Sequence, residues 1–253
     1  MRKTLTTLAT AGAALMLAVG PAAADHEGTS YTGTLDELNG SGGSGEVTVT
    51  VSDDGETFAV DLDADGLNLD GPHAMHIHGI VDGDEVQASA CPTMDADADG
   101  DGVVDVVEGI PFYGSIQVSL TTEGDTSADS ALAVERYPAG TSIDYYRDGI
   151  AIPDAVKPNI DKVHVVVHGL DENGNGMLDM DQETRSSLTD DFPREGTAPA
   201  LCGELTATAM GPVQTGGGGT ADTGINGAAA AGLGLVALGG LFIGRRRTAT
   251  DQA

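Results

Sequence analysis

Five of the six histidines of this 253-residue chain fall in two short segments, Pro72-His73-Ala74-Met75-His76-Ile77-His78-Gly79 and Lys162-Val163-His164-Val165-Val166-Val167-His168-Gly169. Side chains alternate across a strand, so His76 and His78 share one face while Ile77 takes the other, and His164 shares a face with His168. At a rise of about 3.3 Å per residue, imidazoles two positions apart stand about 6 to 7 Å apart at the backbone, and their ring nitrogens can converge on one ion. Neutral imidazole suits a borderline-soft metal, copper or zinc. A lone His-x-His is as readily a pair of exposed or hydrogen-bonded histidines; the second segment tips the reading toward a metal centre.

A second chemistry is written in acidic loops. Asp97-Ala98-Asp99-Gly100-Asp101-Gly102-Val103-Val104-Asp105-Val106-Val107-Glu108 has the spacing of a twelve-residue calcium loop. Asp97, Asp99, Asp101, Asp105 and Glu108 stand at its first, third, fifth, ninth and twelfth places, with Gly102 at the sixth and Val103 offering its carbonyl oxygen. A hard cation takes six to eight oxygens, and alternate short side chains around a tight turn supply them. Asp171, Asn173, Asn175, Met177 and Asp179 repeat the plan, but Gln182 stands where the bidentate acid belongs and Glu183 comes one place late. Both loops are expected between strands, with calcium in a structural role; ordinary solvated Asp/Gly turns are the alternative.

The elements that must position these groups read as strands. Gly45 to Ser52 and Thr57 to Ala64 alternate apolar and polar residues around Asp53-Asp54-Gly55-Glu56, a hairpin pattern. Further period-two or β-branched runs cover Ser30 to Leu35, Ala74 to Gly79, Ile116 to Thr121, Ser142 to Arg147, Lys162 to His168 and Glu204 to Ala209. No long amphipathic helix is offered between Gly28 and Met210. The 37 glycines argue in the same direction. The expectation is one all-β domain, an Ig-like Greek-key sandwich or barrel of about eight strands.

His76-Ile77-His78-Gly79 resembles the copper segment of Cu,Zn superoxide dismutases, and Val165-Val166-Val167-His168 resembles their late copper-ligand strand. The same first segment is similar to the His-Ile-His-Gly signature of CHRD (chordin-type) domains of bacterial surface proteins. Both resemblances imply an Ig-like sandwich over roughly residues 30 to 209. The dismutase resemblance implies a Cys91–Cys202 disulfide, which is also the default for two cysteines in an exported protein. It further implies copper at His76, His78 and His168, with His164, His73 or His26 as a fourth ligand. Two departures bear on activity. No histidine lies between His78 and His164, so the zinc site is missing. Pro199 stands where the dismutases carry an arginine, so anion guidance would fall to Arg194.

The termini carry the remaining signals. Arg2 and Lys3, the apolar run Leu5 to Val19 and Pro21-Ala22-Ala23-Ala24 read as a signal peptide over 1–24. The expected β-sandwich domain, similar to those of the dismutases and CHRD proteins, then covers 25–210. Gly211 to Gly219 opens a linker, 211–224, that ends in Thr220-Ala221-Asp222-Thr223-Gly224, similar to the tail signal of sortase substrates. Residues 225–253 hold an apolar stretch followed by Arg245-Arg246-Arg247, an anchor with a basic stop. Export to the cell surface follows, attached to cell wall or membrane. With 11 Lys+Arg against 40 Asp+Glu the formal net charge is -29, and a nucleic-acid partner is excluded.

Two functions are expected from these readings. The first is a copper-binding surface protein that turns over superoxide. The second is a non-catalytic CHRD-type binding module stiffened by calcium. Hydrolase chemistry has little support, since neither Gly-x-Ser-x-Gly nor His-Glu-x-x-His occurs.

Overall fold

The structure, a computed structural model, describes residues 29–208. The expected signal peptide, linker and anchor, and His26, lie outside the described residues. Strands β1 (Ser30–Glu37), β2 (Ser44–Val51), β3 (Thr57–Asp65) and β7 (Ser142–Ala151) form an antiparallel run in which each strand buries alternate residues. Val47 and Val49, then Phe58, Val60, Leu62 and Ala64, then Ile143 and Tyr145 point inward, while Glu46, Asp61, Asp63 and Asp144 face out. This period-two burial is what the sequence alternation demands, and each fully buried Val, Leu or Phe contributes about 1.5 to 3 kcal/mol.

The centre of the other half is buried on both faces, over residues 75–79, 164–168 and 199–203. β4 (Met75–Asp82) pairs antiparallel with β8 (His164–His168), and β8 with β9 (Pro199–Glu204), which returns beside β1. Short strands β5 (Glu85–Gln87) and β6 (Ser115–Ser119) flank β4, and β10 (Thr206–Ala207) flanks β1. The path β5-β4-β8-β9-β1-β2-β3-β7 curls into a half-barrel around a core that includes Met75, Ile77, Val165, Val167 and Leu201.

The all-β expectation stands, with three corrections. There are ten strands among the described residues, not about eight, because short edge strands such as β5 carry too few residues to show a pattern. The expected last strand, Glu204 to Ala209, is instead β9 followed by the two-residue β10, so Cys202 lies inside a strand and not ahead of one. The first acidic loop does not run strand to strand: it feeds helix α1 (Val106–Tyr113), capped by Asp105. The Asp105 side chain accepts from the Glu108 amide and the Glu108 side chain accepts from the Asp105 amide, a reciprocal cap at the start of the helix.

Cys91 and Cys202 are joined, closing 111 residues. In the chain-entropy picture such a closure contributes about 4 to 5 kcal/mol. The bridge packs with Tyr113 and Val166 on the sheet face opposite the main core.

Candidate metal centre

That same outer face carries the histidines. Register pairs His76 with Val166 and His78 with His164, so strand alternation puts His76, His78, His164 and His168 on one side, while Met75, Ile77, Val165 and Val167 fill the core. Ring centroids of His76, His78 and His168 form a triangle with sides of 5.6, 5.1 and 5.7 Å. One ring nitrogen from each lies within 4.8 Å of the others. All three residues are buried.

The second nitrogen of each ring is fixed by backbone. His78 Nδ1 lies 2.9 Å from the Gly114 carbonyl, His168 Nδ1 2.6 Å from the Thr197 carbonyl, and His76 Nε2 3.1 Å from the Ala131 carbonyl and 3.0 Å from the Tyr137 hydroxyl. A carbonyl only accepts, so the nitrogen facing it carries the proton and the other carries a lone pair. His76 Nδ1, His78 Nε2 and His168 Nε2 have no hydrogen-bond partner. A buried acceptor left without a partner costs about 1 to 3 kcal/mol, and three lone pairs aimed together fit a cation better than they fit one another. Gly114 makes its contact possible: it sits at φ 85°, and a Cβ there would collide with the Gly79 carbonyl.

Burial, with the neighbouring imidazole second, pulls His78 down to about 3; burial likewise pulls His168 to about 4 and His76 well below its ordinary value. At neutral pH all three are uncharged, the form that ligates metal.

The proposed fourth ligands are not brought together with this trio. His164 shares the face, but its Nδ1 lies 3.3 Å from Ser89 Oγ and its Nε2 points toward Glu204, 3.9 Å away. Face parity says nothing about position along the strand, and His164 sits at the far end of β8 from His168. Both nitrogens of His73 face carbonyls, those of His168 at 2.8 Å and Leu69 at 3.1 Å, leaving none free for a metal. Nor does Arg194 reach the centre as an anion guide. Its guanidinium is bound to Asp101 and Glu172.

In the first acidic loop, Asp97, Asp99 and Glu108 bring carboxylate oxygens within 4.8 Å of one another. Asp97 accepts from the amides of Gly100 and Gly102 at 2.8 Å, and Gly102 turns the chain at φ 95°. Asp101, expected as a ligand, is turned onto Arg194. Glu108 Oε1 accepts from the second and third loop amides, Ala98 and Asp99, and Oε2 from the ninth, Asp105.

The second loop repeats this with a residue that loop spacing could not supply. Neither Gln182 nor Glu183 closes it. Glu195, fully buried on the short helix α2 (Arg194–Thr197), does: Oε1 accepts from the amide of Glu172 and the side-chain amide of Asn173, both at 3.2 Å, and Oε2 from the amide of Asp179 at 3.1 Å. Those are again the second, third and ninth loop places. Asp171 accepts from Gly174 and Gly176 as Asp97 does from Gly100 and Gly102, and Asn173 and Asn175 both donate to Asp179. Met177, expected to lend a carbonyl, is exposed and donates its amide to Asn175. Burial, first among the causes, and the nearby Asp179 and Glu172 push the Glu195 carboxyl up. A buried carboxylate beside other acids is the position where a cation is most useful.

Compared with known proteins, the chain matches no family model, and no curated protein is significantly similar to it.

Proposed function

We propose that this chain is an exported, envelope-anchored metal-binding β-sandwich of the superoxide dismutase or CHRD type, with copper at His76, His78 and His168 and calcium in the two acidic loops. The observation that carries the copper assignment is the set of three bare imidazole nitrogens, each ring oriented by a backbone carbonyl. Copper bound there would supply one-electron redox chemistry. The residues themselves hold the rings neutral, fix their tautomers and keep bulk water away. Copper added to the metal-free full-length chain should be retained through desalting, and His76→Ala with His168→Ala should abolish retention. Equal retention by the double variant ends the assignment.

Superoxide turnover is the enzymatic form of this reading. A second form, a non-catalytic display module with a stored metal, is favoured by one specific arrangement: among the described residues no Lys or Arg lines the space over the histidines, and Arg194 is held between two acidic loops. Assay of the copper-loaded chain separates the two, since turnover well above that of free copper supports the enzyme and its absence supports the module.

A further inference from the structure

The outward face of β1, β2, β3 and β7 carries a row of side chains that strand register lays straight across the sheet. Tyr146 stands opposite Asp61, Asp61 opposite Thr48, Thr48 opposite Thr32, and Thr32 opposite Thr206 of β10. Neighbouring strands lie about 4.8 Å apart, so the row runs about 19 Å from end to end. Thr48 is half-buried and the other four are exposed. Tyr146 is 62% exposed, whereas Tyr113, Tyr137 and Tyr145 are buried and Tyr31 is half-buried.

The sheet is hollowed along this row. A depression of about 490 Å³ is lined by Tyr146, Asp61, Thr48, Thr50, Ala59 and Asp148 among others. A second, of about 440 Å³, includes Thr48, Thr32, Thr206, Glu46 and Glu204, and the two meet at Thr48. A bulge shapes the first. Between the pairs Phe58–Ile150 and Val60–Arg147, β7 carries one residue more than β3, Gly149 takes φ 64°, and Ala59 opposite offers only a methyl group. The furrow shares no residue with the three-histidine centre.

Its chemistry is that of a ligand rich in hydroxyl groups. The C–H face of a pyranose is apolar and lies flat against a phenol ring, while its hydroxyls donate to carboxylates and both donate to and accept from threonine. The carboxylates sit on neighbouring strands and do not converge as Asp97, Asp99 and Glu108 do, so they suit a row of hydroxyls better than one cation. Acids line both depressions and, among the described residues, no Lys or Arg does, which fits an uncharged sugar rather than a uronic acid.

We propose that this furrow binds a neutral saccharide chain laid across the strands, stacked on Tyr146 and hydrogen-bonded by Asp61, Thr48 and Thr32. The full-length chain, metal-free and in chelator, is run through native gels that each hold one soluble neutral polysaccharide: dextran, mannan, laminarin or xylan. At least one should retard it relative to a plain gel. Toward that polymer Tyr146→Ala should lower affinity about 10-fold or more and Asp61→Ala about 3- to 10-fold, while Tyr146→Phe, which keeps the ring, stays within about 2-fold. Both alanine changes are at exposed positions and should melt with the wild type, which separates a lost contact from a lost fold. Retardation by none of the four, wild-type affinity in both alanine variants, or binding confined to polygalacturonate or to polylysine overturns the inference. Since no metal is present, each of those results leaves the copper and calcium assignments standing, and failure of those assignments leaves the furrow standing.

Discussion

The histidine centre and the acidic loops solve opposite problems. The three imidazoles are buried on strands far apart in sequence, and the fold holds their bare nitrogens together although nothing among the described residues pairs with them. The carboxylates of the loops are mostly half-buried and close in sequence, and they fold back onto their own amides: Asp97 onto Gly100 and Gly102, Asp171 onto Gly174 and Gly176. A site on rigid strands is set before an ion arrives and can be selective, whereas a loop must exchange its own hydrogen bonds for metal contacts and binds more weakly. Extracellular calcium loops, with dissociation constants of about 10⁻⁴ to 10⁻³ M, have that character.

Acid breaks this contrast most sharply. The imidazoles of His78 and His168 titrate at about 3 and about 4 when folded but at 6.5 when unfolded, so between pH 6.5 and 4 the unfolded chain binds protons that the folded chain refuses. Stability of the metal-free chain therefore falls as pH drops through that window, by up to about 3 kcal/mol per pH unit for the two together. Loop carboxylates such as Asp101 and Asp171, held below their ordinary value, lose their contribution only at lower pH. Chemical denaturation at a series of pH values checks this; a flat curve from pH 6.5 to 4.5 contradicts the buried neutral trio.

Removing calcium comes next in size. Two sites filled at about 1 mM calcium contribute roughly 1 to 3 kcal/mol, so a chelator should lower the melting temperature by about 2 to 10 °C while copper retention persists. A melt insensitive to the chelator would leave the loops as plain turns. Finer still is the equivalence of Glu108 and Glu195. Glu108→Gln and Glu195→Gln should each weaken calcium binding at one loop by about 10-fold, since loop affinity follows ligand charge. Calorimetry in which Glu195→Gln has no effect would remove Glu195 from the site. The smallest effect belongs to Asp101→Ala in the calcium-free chain, which removes only the exposed arm of the Arg194 clamp at a cost of about 1 kcal/mol or less, because Asp101 is open to solvent. Urea midpoints would register it, and a loss several times larger would mean the clamp organises both loops.

Much of this was legible in the sequence, and the reasons are local. Alternation in Val47 to Val51 and Phe58 to Ala64 fixed which residues point inward, and the same parity placed His76, His78 and His168 on a common face. Parity could not exclude His164, because position along β8 depends on pairing with β4 and β9. Loop spacing gave Asp97 and Glu108 but not Glu195, which lies 16 residues beyond Asp179 in sequence and reaches the loop only through tertiary packing. The carbonyls of Gly114, Ala131 and Thr197 were equally hidden, since a backbone oxygen carries no residue identity. Nor could composition reveal that Arg194 is spoken for.

The single turn Arg194–Thr197 joins what the rest of the chain keeps apart. Arg194 straps the first loop to the second, Glu195 closes the second, and the Thr197 carbonyl holds the proton of His168. Four consecutive residues thus bridge the rim of the molecule and its interior, so that an ion held in the second loop and an ion held at the histidines would share one short segment of backbone.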